Sequence, residues 1–404
     1  MRDRVMALLQ AGVAAADPGR AVAAHMADVL ADPPGPGGGW TVIALGKAAR
    51  AMAAAALEAL PEAEALVITN RGNDAPLARA RVLASGHPVP DAAGEAAARE
   101  VEALLHRAGP ADRVLALISG GGSAMLPAPV DGVSLAEKQE VNRLLLGSGA
   151  DITQTNLVRQ ALSRLKGGGW LRATRAPVTA LILSDVPGDD LRVIASGPTV
   201  SPIGSVADAA AMARRLGIWD RLPGPVQAAL SGTRAAEALP PARNILVGSN
   251  GQSVAAMIAA GAADGGVPLA GDVEECARAL LEVVRDAAPG ATLVFGGETT
   301  VRLTGDGMGG RNQELALRFA RAASDLPGPW VFAAMGSDGR DGPGEAAGGI
   351  VDDGTLRRIA AAGLDLEDVL ARNDSTPALA AAADLMETGA TGTNVADLAV
   401  FLRG

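Results

Sequence analysis

Thr41-Val-Ile-Ala-Leu45 is a short apolar run that stops at Gly46-Lys47 and gives way to an alanine-rich stretch over residues 48–60. Read outward, it predicts a buried strand, a sharp turn and a helix. The pattern then recurs. Leu66-Val-Ile68 stops at Thr69-Asn-Arg-Gly72, residues 114–118 at Ser119 and three glycines, and residues 178–183 at Ser184-Asp-Val-Pro-Gly-Asp189. Ile245-Leu-Val247, Leu293-Val-Phe295 and residues 331–335 repeat it before Gly-Ser-Asn250, Gly-Gly-Glu298 and Gly-Ser-Asp-Gly339. Runs apolar on both faces predict buried, largely parallel strands. Helical stretches such as residues 94–106 follow most of them, so the chain reads as α/β. Ligands of such sheets sit beyond the carboxyl ends of the strands, which is where glycine, aspartate, serine and asparagine accumulate here.

The remaining composition bounds the answer. At 404 residues the chain exceeds one usual core, and two domains are expected. Pro/Gly-rich tracts at 222–225 and 239–242 place the boundary near residue 235, giving domains 1–235 and 236–404. Aromatics reach only 2%, so alanine, valine and leucine must fill the cores. A net charge of −10, with no basic stripe, argues against nucleic acid and against an anionic membrane surface. One cysteine, Cys276, and three histidines provide neither an internal disulfide nor zinc-ligand spacing. Residues 1–16 read as an amphipathic helix rather than a signal segment, and no apolar run is long enough to span a bilayer. A cytoplasmic location is expected.

The strand ends carry the chemistry. Lys47 sits where a helix opens, opposing the positive end of its dipole; it either extends into solvent or neutralises an anion bound there. Gly46-Lys47 is not a Walker A loop, lacking the upstream glycine and the following Ser/Thr. Ser119, Gly120, Gly121, Gly122 and Ser123 form a loop whose backbone can approach phosphate oxygens, or serve as a flexible turn. Asp185 and Asp189 can hold magnesium or accept a hydroxyl proton, though loop aspartates are commonly just solvated. The second half repeats the logic in the glycine loop 305–310, which runs into Arg311-Asn312. Arg311, again at a helix start, suggests an anionic ligand and suits charge on a transferring phosphoryl group. Asp338 ends another strand, and Thr391-Gly-Thr-Asn394 offers small donors. This set fits phosphoryl transfer between a nucleotide and a small acid, and leaves room for a sugar-phosphate-binding module without catalysis.

At these residues the chain resembles the glycerate 2-kinase family, the two-domain MOFRL-type proteins also named hydroxypyruvate reductases. The first-half matches are Gly46-Lys-Ala48, Gly86-His-Pro-Val-Pro-Asp91, Ile118-Ser-Gly-Gly-Gly-Ser-Ala124, Asn156, Arg159, Leu162-Ser163, Lys166-Gly-Gly168, Leu183-Ser-Asp-Val-Pro-Gly-Asp-Asp190 and Ile194-Ala-Ser-Gly-Pro-Thr199. The second half matches at Gly296-Gly297-Glu298-Thr-Thr-Val301, Gly309-Gly-Arg-Asn312, Ser337-Asp-Gly339, Asp341-Gly342, Asn373-Asp374 and Thr393-Asn394-Val395. The resemblance implies phosphorylation of D-glycerate to 2-phosphoglycerate with ATP and Mg2+. It also implies a Rossmann-like α/β/α N-terminal domain, a mixed α/β C-terminal domain, and an active site in the cleft between them. Lys47, Arg311 and Asp189 are then the expected catalytic groups, with Asp185 and Asp189 on the metal. Ser119 to Ser123, Gly297, Glu298, Asn312, Asp338, Thr393 and Asn394 are expected at the nucleotide. A homodimer is the one macromolecular assembly kept in view. Gln154 stands where the family usually has glutamate.

The reductase alternative requires a G-x-G-x-x-G turn after a strand and an acidic residue about 20 positions on. Gly46-Lys-Ala-Ala-Arg50 has one glycine only, and residues 120–122 do not complete that fingerprint.

Overall fold

A computed structural model describes residues 1–232 and 238–404. The chain forms two compact units, Pro18–Val247 and Met1–Asp17 with Gly248–Gly404. The boundary expected near residue 235 lies outside the described residues. The helix Arg2–Ala15, expected in the first domain, joins the second unit, where Val5, Leu8 and Leu9 are buried with Met257, Leu398 and Val400.

The N-terminal unit is built on six strands: β1 (Trp40–Leu45), β2 (Glu64–Asn70), β3 (Arg81–Ser85), β4 (Arg113–Ile118), β5 (Val178–Leu183) and β6 (Ala242–Gly248). Their order is β3-β2-β1-β4-β5-β6. The pairs β1–β2, β2–β3, β1–β4 and β4–β5 are all parallel. This is the Rossmann order, and it reverses between β1 and β4. Register brings the strand ends level: Leu45 lies opposite Ile118, and Ile118 opposite Ile182. The loops that follow therefore emerge side by side. A core of Ile43, Leu45, Ile68, Ile118, Ile182 and Trp170 lies beneath them.

A helical subunit of the same domain packs its own core through Val141, Leu145, Val158, Ala213 and Val226. Two of its helices start on capping boxes. Ser134 and Glu137 form a capping box, and so do Asp151 and Gln154. Gln154 thus performs at the third helical position what a glutamate would.

The C-terminal unit has β7 (Ala263–Asp264), β8 (Thr292–Gly297), β9 (Trp330–Gly336), β10 (Gly348–Asp352), β11 (Leu385–Met386) and β12 (Asp397–Arg403), in the order β11-β10-β9-β12-β8-β7. Here the expectation of largely parallel strands fails. β12 enters between β8 and β9 antiparallel to both, and β10 runs antiparallel to β9. The strands are nevertheless apolar on both faces, because helices cover both. Leu315, Phe319 and Ala320 pack on one side with Phe332 and Phe401, and Leu8, Leu9 and Met257 on the other with Val400. Apolarity reports burial, and strand direction leaves no trace in it.

Candidate active site

The crevice at the β1/β4 reversal is lined by the residues that the sequence singled out. Gly46 leaves β1 with φ near +120°, and a Cβ there would overlap Ser119. Only glycine permits this approach. The two turns are then stitched together. Ser119 N–H donates to the Leu45 carbonyl at 2.8 Å, Lys47 N–H to the Gly120 carbonyl at 2.9 Å, and Ala48 N–H to Ser119 Oγ at 3.1 Å. Ser119 Oγ also contacts the Leu45 carbonyl at 3.3 Å and is buried. Its hydroxyl is committed to the protein. Ser119, expected at the nucleotide, thus ties the two turns together.

Gly120 faces Asp185, whose carboxylate a Cβ would overlap. Gly121 adopts φ +82° and caps the short helix Gly122–Met125. Gly122 packs on Leu45 and Ala195. The triple glycine is thus required position by position, to admit a carboxylate, to turn, and to pack. Burial pushes the Asp185 carboxyl above the usual carboxylate range, against the pull of its own backbone N–H and of the Lys47 charge. Asp189 closes the tight turn 186–189 with φ +54° and its N–H on the Val186 carbonyl. The two aspartates therefore occupy different environments, and Asp185 is the one beside the glycines and Lys47. Among the described residues no group of three or more His, Cys, Asp or Glu could hold a metal ion. Magnesium commonly takes one or two carboxylates and completes its shell with phosphate and water, and Asp185 fits that requirement.

His87, in the segment Gly86-His-Pro-Val-Pro-Asp91, reaches the same glycine loop. A Cβ at Gly121 would lie 3.2 Å from its ring. Partial burial, then the Lys47 charge, hold its imidazole below the ordinary value. Only the local dipeptide Gly86-His87 hinted at it in sequence.

The C-terminal residues have other occupations. Arg311 opens the helix Arg311–Ala322, but protein counter-ions meet its charge: Nε and Nη2 donate to Asp397 at 2.6 and 3.0 Å, and Nη1 lies 2.7 Å from Glu298. Burial works against that charge, yet the Asp397 pair outweighs it and holds the Arg311 pKa above its usual value. The guanidinium expected to face an anionic ligand thus meets these two carboxylates. Glu298, expected at the nucleotide, pairs with Arg311, and Gly297 lies against Leu269, whose carbonyl accepts the Glu298 N–H at 2.7 Å. Asn312 is buried, with its backbone and side-chain N–H groups on Asp341 at 3.1 and 3.2 Å. Asp341 caps this helix, taking Gln313 N–H as well. Thr393 donates its hydroxyl to the Ala16 carbonyl at 2.5 Å, which ties it to the end of the first helix. Asp338 accepts the Arg340 N–H at 3.0 Å, and Asn394 is half-buried beside Thr393. The glycine loop 305–310 packs on residues 372–375 and Asp341, which accounts for its small residues without a ligand.

Two family models match the chain: a domain of unknown function, DUF4147, over residues 4–231, and the MOFRL family over residues 291–397. A glycerate 2-kinase of Pyrococcus horikoshii is 38% identical over 89% of this chain and 86% of its own length. A protein of Agrobacterium vitis, for which the name hydroxypyruvate reductase has been suggested, is 39% identical over 100% of this chain and 94% of its own. The crystal structure of a glycerate kinase of Thermotoga maritima superposes with a TM-score of 0.88 at 36% identity, covering 98% of each chain. No helix among the described residues is long and apolar enough to cross a membrane. Switch-point geometry, paired domain models and relatives matched over nearly their full lengths agree: the chain belongs to the glycerate 2-kinase family.

Proposed function

We propose that this chain phosphorylates the 2-hydroxyl of D-glycerate with ATP, and that the crevice at the β1/β4 reversal does the chemistry. The observation that carries this reading is the meeting of a lysine, a triple glycine and a half-buried carboxylate at that one point. In the proposed reaction Lys47 offsets the charge that develops on the transferred phosphoryl oxygens. The backbone beside Gly121 and Gly122 approaches those oxygens without obstruction. Asp185, held above the usual carboxylate range, is suited to accept the proton that the attacking hydroxyl releases. When bound, Mg2+ would neutralise nucleotide phosphate oxygens, with Asp189 as its protein ligand where Asp185 serves as the base. Arg311 is assigned to fixing Asp397 and Glu298.

The test is ATP turnover with D-glycerate, with the product identified by phosphorus NMR. A 2-phosphoglycerate signal is expected. Its absence, with NADH oxidised when hydroxypyruvate is added, would transfer the chain to the reductase reading.

A further inference from the structure

Lysine is rare here. The basic residues are 32 arginines and only three lysines, Lys47, Lys138 and Lys166, all in the N-terminal unit. A chain that uses arginine almost throughout keeps lysine where a compact amine is needed, since the two are not interchangeable at a fitted site. Lys47 belongs to the crevice already described. The other two are each 4% exposed.

Lys166 Nζ donates to the Ser123 carbonyl at 2.7 Å and to Ser123 Oγ at 3.0 Å. Ser123 Oγ shares a 2.7 Å hydrogen bond with Ser196 Oγ, which donates to Asn156 Oδ1 at 2.6 Å. Lys138 Nζ donates to the Leu162 carbonyl at 2.9 Å, at the end of the helix Ile152–Ala161. Arg159 lies in the last turn of that helix with Nε on Asn142 Oδ1 at 2.8 Å. Its other guanidinium N–H groups meet no acceptor among the described residues.

Among the described residues none of these three basic groups pairs with a carboxylate, and burial, then their mutual repulsion, lowers the pKa of both lysines, so that a bound anion would restore their charge. Lys166 feels Lys138 and Arg159, while Lys138 feels Arg159 and Arg164, the last already paired with Glu102. The helix C-terminus offers about half a negative charge, too little for three cations. Buried charges left without counter-charge are costly. Beside them Ala195 and Ser196 hold φ of +48° and +60°, backbone that non-glycine residues adopt where surrounding structure imposes it. Hydrogen-bonded hydroxyls, imposed backbone and three basic groups without a carboxylate partner together describe a site for a small anion.

We propose that Arg159, backed by Lys166 and Lys138, binds the carboxylate of the hydroxy-acid substrate. The planar guanidinium matches the two oxygens of a carboxylate. The inference rests on the glycerate reading. It places the acid at the Ser123 end of the glycine loop, with its hydroxyl toward the Gly120 end, where Asp185 lies. A nucleotide phosphate offers the same chemistry, and the test separates the two.

Three lysines make a three-line spectrum. Selective 13Cε-lysine labelling, with Lys47 assigned by Lys47→Arg, allows nucleotide-free protein to be titrated with D-glycerate, glycerol or ATP. D-Glycerate is expected to shift the Lys166 and Lys138 resonances saturably, and the neutral glycerol to leave them in place. Arg159→Gln is expected to raise the KM for D-glycerate at least about tenfold, the scale of a lost hydrogen bond to a charged group, with the KM for ATP unchanged. If ATP shifts both lines and D-glycerate neither, the cations serve phosphate and the proposal falls. Lines silent to both ligands also overturn it. Lysines that respond to D-glycerate in a protein without glycerate kinase turnover would sink the kinase reading alone. Glycerate turnover with silent lysines would remove the subsite alone.

Discussion

The backbone N–H of Lys47 donates to the carbonyl of Gly120 at 2.9 Å. The turn that leaves β1 is thereby tied through main-chain atoms to the loop that leaves β4. Everything the Lys47 side chain does is separate from that tie, so the two can be dissected by mutation.

Lys47→Ala keeps the N–H and removes the side chain beyond Cβ, its charged amine included. Turnover is expected to fall at least ~10²-fold, the scale for losing one preorganised electrostatic partner, while the melting temperature stays close to wild type. A folded variant that turns over at the wild-type rate would move the phosphate site elsewhere.

Gly120→Ala tests the contact with Asp185. A methyl group there overlaps the carboxylate, which must shift. Displacing a reacting group by about 1 Å can cost 10²-fold, so a loss of that order in kcat is expected with ATP binding retained by calorimetry. Full activity in the alanine variant would show that the position of Asp185 is not critical.

How much of this was legible beforehand follows from the range of the interactions. The run at residues 41–45 and its repeats disclosed the βα units of the N-terminal unit, because burial on both faces and an abrupt polar stop are local signals. Gly46, Lys47 and the triple glycine were readable for the same reason. Arg311 looks unpaired in the sequence because its counter-ion, Asp397, lies 86 positions later in β12, and the pair forms only when the sheet is assembled. Thr393 looked like a ligand donor, yet it serves a carbonyl 377 residues away. The insertion of β12 between β8 and β9 is likewise a long-range fact, absent from periodicity.

The ion pairs of Arg311 have their own consequence for stability. Asp397 is fully buried and holds Arg311 through two N–H groups. Removing one member of such a pair leaves an uncompensated charge, at a cost of about 3–5 kcal/mol. Arg311→Ala is therefore expected to lower the unfolding free energy by that order in denaturant titrations. A variant with wild-type stability and no turnover would return Arg311 to the catalytic role.

Lys138 supplies a pH dependence whose sign can be worked out. Burial foremost, then the charges of Arg159 and Arg164, lower its pKa from 10.5 to about 7. Below about pH 7 the amine is protonated both folded and unfolded, and the folded state bears the whole cost of the buried charge. Between about 7 and 10.5 the unfolded chain holds a proton that the folded chain has released. Stability then rises with pH, since the unfolded state binds more protons, by at most about 1.4 kcal/mol per pH unit for one group. Above that interval the contribution is flat. Lys138→Met lacks the titrating amine and should lack this slope. Urea unfolding of both proteins across the interval should therefore show the wild type gaining on the variant as pH rises. Parallel curves would mean that Lys138 keeps its proton in the folded protein, held by a counter-charge other than the Leu162 carbonyl.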